Sequence, residues 1–423
     1  MNPLRGWEDD AYIGGNGTTY YCDPVSGKLS NDGRSPGAAW SSLEDVLTAG
    51  YFKSIVKGGD TVLLLSGNHG YAQFSDLVYD DWVTVSGAPG EQAGLKGVRG
   101  YSIEKLSLEH LWVTPLLADQ FFQDGRGLIW IGRSNGSKGV SRNVAIRNCR
   151  VFSVLDSSQW SPHDWAVLAS QGVTMYEVDD GIIEHNFITN VYTGIGFNGN
   201  RIQVRANWVD NFAGDGMFGG GKEHLVEDNL ITDVYEDDTG FHNDGIQFYY
   251  AGGGNSATLR RNVIVATIDP SRAPSIHLQG ITSFQEDFSN SLVENNYVIS
   301  DTTHGISFTG GGSNSTFINN TIYGFRDGDG SPMRLNGTWT NSLARNNLVT
   351  NMFSDAPHDH NLIIKNPAEA PNYFVDPDHL GFRLRDTSPA IDAGADALAP
   401  LVDFEGDVRP QGAHTDIGAD ESR

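Results

Sequence analysis

The sequence predicts an all-β fold, a single-stranded right-handed parallel β-helix (solenoid) with an N-terminal capping helix and an extended C-terminal segment. One phrase recurs: an apolar residue, two variable residues, Asn, a variable residue and another apolar residue. It surrounds Asn186, Asn207, Asn229, Asn262, Asn296, Asn320 and Asn347, with a weaker copy at Asn148. The gaps between the strong copies are 21, 22, 33, 34, 24 and 27 residues, so a period of about 21 to 24 indicates one coil of a solenoid.

Each phrase is short, rich in β-branched residues and followed by polar, Gly-rich sequence, which is typical of a strand and a turn. In successive coils the asparagines would stack at one corner, where Asn tolerates the bend and its amide bonds to the amides above and below. We interpret them as architecture and not as chemistry. A leucine-rich repeat lacks support because its leucine pattern is missing, and a propeller needs about 40 or more residues per blade.

A second set of strands lies between the Asn phrases. Its members read TGIGF, GDGMF, NDGIQF, PSIHLQ, HGISF and SPMRL, and they begin at residues 193, 214, 243, 274, 304 and 331. We expect one domain over residues 1–423, with a cap over about 1–60, coils over about 61–353 and a C-terminal segment over about 354–423. Residues 41–49 suit the capping helix, with Ser41 or Ser42 as the N-cap.

Composition excludes several functions. The chain has 53 acidic and 28 basic residues, and its net charge of −25 repels the phosphate backbone of nucleic acids. No stretch approaches the roughly 20 consecutive apolar residues of a membrane span. Cys22 and Cys149 are too few for a disulfide framework, and we expect two separate small core residues.

Both ends of the chain resemble a known group. The segments TTYYCDPVSGKLSNDGRSPGAAWSSLEDVL, GGDTVLLLSGNHG and SPAIDAGADALAPLVDFEGDVRPQGAHTDIGADE resemble the ends of many proteins of the pectate-lyase-like right-handed parallel β-helix superfamily of polysaccharide-active enzymes. The resemblance implies a secreted or periplasmic enzyme with an acidic polysaccharide or oligosaccharide as substrate, although the given chain shows no signal peptide. It leaves the sugar open, because such ends accompany many specificities. A capped solenoid is sufficient alone, so we expect a monomer.

The longest coils predict a cleft. Insertions over 234–243, 267–275 and 283–290 flank neighbouring strands of the second set and would form its walls. Alignment of these strands on their glycines puts Asp215, Asp244 and His304 at equivalent positions, with the strand of His277 between the last two. Strands of adjacent coils lie about 4.8 Å apart, so the two carboxylates need a shared proton, a cation or a basic partner.

A calcium ion is one such partner. Asp215, Asp237, Asp238 and Asp244 would supply the oxygen ligands that Ca²⁺ prefers. The arrangement is similar to the calcium site of one pectate-lyase family, in which an Asp on one coil joins an Asp-Asp-Gly motif on the next. This sequence departs from that motif, because Gly does not directly follow Asp238 and the basic residue expected further on is not a lysine.

The leading hypothesis is a polysaccharide lyase that cleaves a uronate-containing polymer by β-elimination, which needs a base and a cationic group. The predicted catalytic residues are Lys222, Asp244, His277, His304 and Arg334, and the predicted substrate-binding residues are His242, Gln247, Tyr249, Gln279 and Arg272. Lys222 or His277 would take the proton, and Arg334 would neutralise the sugar carboxylate. The alternatives are a glycoside hydrolase with Asp215 and Asp244 as acid and base, a C5-epimerase, and a non-catalytic carbohydrate-binding β-helix.

Overall fold

The computed structural model of the 423-residue chain describes residues 16–119, 122–123, 125–133, 139–235, 242–249, 254–271, 277–300, 302–324, 330 and 332–422. The chain divides into two compact units, which meet in sequence between Ala213 and Gly214. Within each unit, parallel strands pair with the strands one coil later, which confirms the predicted parallel β-helix. That all 423 residues form a single domain stays a prediction.

The first unit begins with the predicted cap. Ser42 is the N-cap of the helix Leu43–Thr48, and its hydroxyl accepts from the Asp45 amide at 3.2 Å. Leu43 and Val46 are fully buried, so the helix covers the end of the core. The other helices are Tyr51–Ser54 and Pro162–Leu168, with 3₁₀ turns at Pro36–Ala38 and Pro115–Leu117. The strands of this unit are Thr19–Cys22, Thr61–Leu64, Gly67–Asn68, Tyr71–Gly87, Ala93–Leu95, Gly97–Glu109, Trp112–Val113, Ile129–Gly132, Ser141–Arg147, Arg150–Phe152, Val173–Asp179, Ile182–Glu184, Phe187–Val191, Ile195–Asn200, Gln203–Arg205 and Trp208–Phe212.

The second unit has three strands in each coil and therefore three walls. The site wall contains the strands Met217–Lys222, Asn243–Phe248, Leu278–Ser283, Ile306–Phe308, Met333–Leu335 and Met352–Ser354. The next wall contains His224–Glu227, Ala257–Arg260, Leu292–Glu294, Thr316–Ile318, Leu343–Arg345 and His358–Asp359. The third wall contains Leu230–Val234, Val263–Val265, Tyr297–Ile299, Thr321–Tyr323, Leu348–Val349 and Leu362–Ile363. A short parallel pair, Gly312–Ser313 with Trp339–Thr340, extends one corner.

The C-terminal segment covers the third wall of the second unit. It contains 3₁₀ turns at Pro367–Asn372 and Pro377–His379 and an antiparallel pair, Phe374–Asp376 with Gly381–Leu384. Phe382 packs against Tyr323 with ring centroids 5.4 Å apart, and its carbonyl accepts from the Tyr297 hydroxyl at 2.7 Å. The coils continue to Ile363, beyond the predicted end near residue 353.

The predicted asparagine ladder is present at one corner of the coils. In the second unit Asn296 donates from Nδ2 to Asn320 Oδ1 at 2.9 Å, and the same bond joins each ladder Asn from Asn229 to Asn347 with the next. The last link, to Asn361, adds a copy that the sequence analysis missed. In the first unit, Asn186 donates to Asn207 at 2.9 Å.

The bend itself lies one residue earlier than predicted. The residue before each ladder Asn has a positive φ, for example +53° at Asn295 and +53° at Arg261, so this residue makes the left-handed turn. The weak copy at Asn148 was therefore misaligned. Asn148 occupies the turn with φ +51°, and Cys149 takes the ladder position, where its amide donates to Asn186 Oδ1 at 2.9 Å.

Two expectations from composition also bear on the fold. Cys22 and Cys149 are free and buried, which confirms them as separate core residues. The helices within the described ranges are all too short or too polar to span a bilayer.

Candidate functional site

Four polar residues of three types occupy one register position along the site wall: Asp215, Asp244, Gln279 and His304, here called the wall row. Asp244 pairs with Gln279, and the pairs Met217 with Ile246 and Ile281 with Ile306 fix the same register on either side. Each member of the row precedes a glycine. A Cβ at Gly280 would lie 2.0 Å from the carbonyl oxygen of Gly305, so the glycine is required for the coils to approach at this point.

Asp244 lies at the centre of a polar network and is fully buried. Its Oδ1 accepts from the Thr282 hydroxyl at 2.6 Å, and its Oδ2 accepts from Gln247 Nε2 at 3.2 Å. The same Oδ2 lies 2.7 Å from Nδ1 of His242, whose ring is 54% exposed. Because the carboxylate is covered and its oxygens are occupied, Asp244 holds its neighbours in position and does not reach a ligand itself.

Asp215 lies on the preceding coil, and two hydrogen bonds to the backbone of Asp244 join it and Gly216 to that residue. Its Oδ1 accepts from the Asp244 amide at 3.1 Å, and the Gly216 amide donates to the Asp244 carbonyl at 2.8 Å. Burial, and then the negative charge of Asp244, raise the pKa of Asp215 to about 7. The two carboxylates therefore lie on adjacent coils as predicted, and the raised pKa of Asp215 favours its protonated form.

Two histidines lie against one phenylalanine. The Phe284 ring meets His304 edge-on, with centroids 4.9 Å apart, and meets His242 with centroids 6.1 Å apart. The hydrogen bond to Asp244 raises the pKa of His242 above its usual value. Burial, followed by the positive charge of Arg334, lowers the pKa of His304, whose Nδ1 lies 3.1 Å from the Ser307 hydroxyl. The two rings therefore favour opposite protonation states near neutral pH.

Arg334 lies two coils beyond Gln279 on the same wall. Its backbone pairs with Ser307 on the preceding coil and with Phe353 on the next coil. Its Nε donates to the Thr303 carbonyl at 2.8 Å, and its guanidinium lies 4.4 Å from the centroid of the Phe353 ring. These two contacts fix the plane of a positive charge close to His304.

Two predicted catalytic residues lie apart from this cluster. His277 is exposed and lies just before the strand Leu278–Ser283. Within that strand the residue that pairs with Asp244 is Gln279. Lys222 is exposed at the far end of its strand, seven residues and roughly 20 Å of extended chain from Asp215. It lines a separate cavity of about 510 Å³ with Asn255 and Asp287. The geometry does not support either residue as the base beside Asp244.

The predicted binding residues differ in position. Gln247 donates to Asp244 as described. His242 is within hydrogen-bonding distance of Asp244, and Gln279 pairs with Asp244 from the next coil. Tyr249 is half-buried at the other end of the strand, where its ring packs against Phe218 with centroids 5.7 Å apart. Arg272, Asp237 and Asp238 lie outside the described residues.

The calcium site stays a prediction. In the described part of the chain, no group of three or more His, Cys, Asp or Glu residues could hold a metal ion. The oxygens of Asp244 are occupied by hydrogen-bond donors and the raised pKa of Asp215 favours its protonated form, so neither carboxylate is well suited to bind a cation.

The sequence analysis missed three participants. Thr282 and Ser307 occupy the register position of Gln247 on the next two coils, so counting along the aligned strands would have found them. Phe284 lies in the recognised insertion 283–290, but its place between two histidines depends on the path of that loop. No sequence pattern signals it.

Comparisons with known proteins agree with this architecture. Residues 131–322 match the family model described as "Right handed beta helix region". Solved structures with a similar fold include the pectate lyase Pel9A, with 15% identity over 96% of this chain and 97% of that one and a TM-score of 0.46. A PL6 family polysaccharide lyase from Pseudopedobacter saltans has 13% identity over 82% and 96%, with a TM-score of 0.47. The GH136 lacto-N-biosidase from Eubacterium ramulus has 13% identity over 82% and 68%, with a TM-score of 0.40.

Comparison with curated proteins finds no significant match. The structural likenesses have low identity and low TM-scores, so neither the fold nor the chemistry of this chain is argued from them. The family model and the pairing of parallel strands supply the handedness and the architecture. The chain thus has the right-handed parallel β-helix fold that its sequence predicted.

Proposed function

We propose that the protein is a polysaccharide lyase that cleaves a uronate-containing polymer by β-elimination at the wall row. The observation that carries the proposal is the pair of histidines on Phe284 whose pKa values move in opposite directions. A neutral imidazole accepts a proton and a protonated imidazole donates one, so the pair supplies a base and an acid at the same pH.

In this mechanism His304 removes the proton from the carbon next to the sugar carboxylate. The electrons of that C–H bond form a carbon–carbon double bond, and the bond to the glycosidic oxygen breaks. Protonated His242 gives its proton to the departing oxygen. Asp244 acts as a positioning residue, because its hydrogen bond holds the His242 ring and stabilises its charged form.

Arg334 is the proposed partner of the sugar carboxylate. Its guanidinium is fixed by Thr303 and Phe353, and a planar guanidinium binds a carboxylate through two parallel hydrogen bonds. Positive charge there stabilises the negative charge that develops when the neighbouring proton leaves. Burial first and the charge of Arg334 second lower the pKa of His304, so Arg334 both binds the carboxylate and favours the neutral, proton-accepting form of His304.

Hydrolysis is the second candidate, and Asp215 favours it. A carboxyl group with a pKa of about 7 is suited to protonate a glycosidic oxygen. The predicted partner, Asp244, is fully buried and cannot reach a sugar, so a hydrolase would need another base, and His304 is the histidine whose pKa is lowered. A C5-epimerase would share the proton abstraction without cleaving the chain.

The test is turnover of a polymer panel containing pectate, alginate, glycosaminoglycans and a neutral glucan. We expect the ultraviolet absorbance of an unsaturated uronate to rise in step with new reducing ends on an acidic polymer. Reducing ends without that absorbance would establish a hydrolase, and inversion of the uronate without either signal would establish an epimerase. Absence of all three on every polymer would contradict an enzymatic role.

Calcium takes no step in this mechanism and remains a separate hypothesis that depends on Asp237 and Asp238. Calorimetric titration of calcium into the wild type and into the double variant Asp237→Asn, Asp238→Asn tests it. A secreted or periplasmic location and a monomeric state complete the proposal, since a large acidic polymer is accessible outside the cytoplasm.

A further inference from the structure

Gln279 lies at the centre of the wall row, between Asp244 on one coil and His304 on the next. Its backbone pairs with Asp244, and the amide of Gly280 after it donates to the His304 carbonyl at 2.8 Å. Its side-chain oxygen Oε1 is buried and receives no hydrogen bond within the described part of the chain. Buried amide oxygens are almost always paired, so this atom needs a donor.

The surrounding groups do not supply that donor. Asp244 is itself an acceptor and is already bound by Thr282, Gln247 and His242. His304 directs Nδ1 to Ser307. By contrast, Gln247 has the same side chain on the same wall, and its amide donates to Asp244. The two glutamines lie on adjacent coils at different register positions: Gln247 is hydrogen-bonded within the network, and the oxygen of Gln279 is not.

We propose that Gln279 determines specificity by accepting a hydrogen bond from a hydroxyl group of a sugar bound along the wall row. Unlike Asp244, which is fully buried, Gln279 is partly exposed, so its amide can turn toward a ligand. The proposal rests on the polysaccharide substrate proposed above and names the group that the site recognises. A site with a buried acceptor favours sugars that present a hydroxyl there, and it rejects analogues that leave the acceptor unpaired. In the absence of sugar, the unpaired oxygen lowers the stability of the fold.

This role predicts two effects of opposite sign in Gln279→Met, which keeps the length of the side chain and removes the acceptor. The melting temperature should rise by about 1 to 3 °C, because an unsatisfied buried atom is removed. The value of kcat/KM on the polymer that the wild type cleaves should fall about tenfold, mainly through KM. Gln247→Met is the matched comparison, and it should lower the melting temperature because it removes a donor from buried Asp244.

The experiment measures melting temperature and steady-state kinetics for the wild type, Gln279→Met and Gln247→Met. A lower melting temperature in Gln279→Met would mean that the amide is paired in the native protein, which overturns the inference. A raised melting temperature with unchanged kcat/KM would overturn it equally, because substrate would then not use the acceptor. If the wild type cleaves no polymer, the lyase proposal fails by itself. The inference is then decided by the melting temperature measured with oligogalacturonate and with oligomannuronate. An oligosaccharide should shift the melting temperature of the wild type, and the shift should vanish in Gln279→Met. Absence of a shift in the wild type would overturn the inference.

Discussion

Two rows of stacked side chains in the second unit have the same geometry and opposite character. The asparagine ladder repeats one residue type at one corner, and each member is buried and bonded to the next in the same way. The wall row keeps no single residue type: two aspartates are followed by Gln279 and then by His304. The pKa of Asp215 is raised, the pKa of His304 is lowered, and the side-chain oxygen of Gln279 is unpaired.

In this solenoid the residues that stabilise the stacked coils are separate from the residues that carry titratable groups. Identical residues in register satisfy one another, because each amide has one neighbour above and one below. The unlike residues of the wall row do not all satisfy one another, so a raised pKa, a lowered pKa and an unpaired oxygen remain there. This division can be tested by substitutions in each row.

Breaking the ladder should have the largest effect on stability. Asn296 donates to the Leu259 carbonyl and to Asn320 at 2.9 Å each, and it accepts from the amide and side chain of Asn262 at 3.0 Å each. We expect Asn296→Ala to lower the free energy of unfolding by about 3 to 5 kcal/mol, because several buried groups lose partners.

The measurement is urea denaturation followed by circular dichroism. A second, exposed ladder is formed by Asn290, Asn314 and Asn341. The matched control is Asn314→Gly, which removes the 3.1 Å bond to Asn290 and tolerates the φ of +53° at this position, and the expected loss is at most about 1 kcal/mol. Equal losses at the buried and the exposed ladder would remove the claim that burial gives the asparagines their effect.

Changing the wall row should affect activity more than folding. In Asp244→Asn the side chain keeps its shape but loses the negative charge that stabilises protonated His242. We expect kcat to fall about 100-fold or more with a single cooperative unfolding transition retained. The exposed Asp287→Asn serves as the control and should retain wild-type kcat. Full activity in Asp244→Asn would show that the His242 contact plays no part in the reaction.

The pH profile should reflect the two histidines. His304 must be neutral, and its lowered pKa puts the acidic limb of kcat/KM below the usual histidine value of about 6.5. His242 must be protonated, and its raised pKa puts the alkaline limb above that value. Arg334→Met removes the positive charge beside His304, so the pKa of His304 should rise and the acidic limb should move to higher pH by up to about one unit.

Arg383→Met, at an exposed arginine of the C-terminal segment, provides the control for this shift. Its acidic limb should coincide with that of the wild type. An acidic limb that stays fixed in Arg334→Met would exclude His304 as the group that titrates there.

Asp215 should make a smaller contribution, to the pH dependence of stability. Its pKa is raised from about 3.8 to about 7 in the folded chain, so its contribution to stability is complete below about pH 4. That contribution is lost as the pH rises through about 7, because ionisation is unfavourable in the folded site. Asp215→Asn should therefore melt at the wild-type temperature at pH 4 and at a higher temperature at pH 8, and equal melting at both values would contradict the raised pKa.

The fold was predictable because its signal repeats. A period of 21 to 24 residues and one Asn per coil indicate parallel stacking without any knowledge of distant contacts. The strand Asn243–Phe248 matches the predicted segment NDGIQF, and the glycine alignment predicted the stacking of Asp215, Asp244 and His304. The predicted strand PSIHLQ begins too early in the sequence. The observed strand is Leu278–Ser283, and Gln279, not His277, is aligned with Asp244.

The sequence by itself determined which residues recur and therefore which side chains stack from coil to coil. It could not determine exposure, because Asp244 and His242 differ by two positions and only the path of the chain covers one and leaves the other in solvent. Tertiary structure alone separated Lys222 from Asp215 and brought Phe284 between two histidines. The physical reason is that register is a local, periodic property of the chain, whereas protonation and hydrogen-bond satisfaction depend on everything that surrounds an atom.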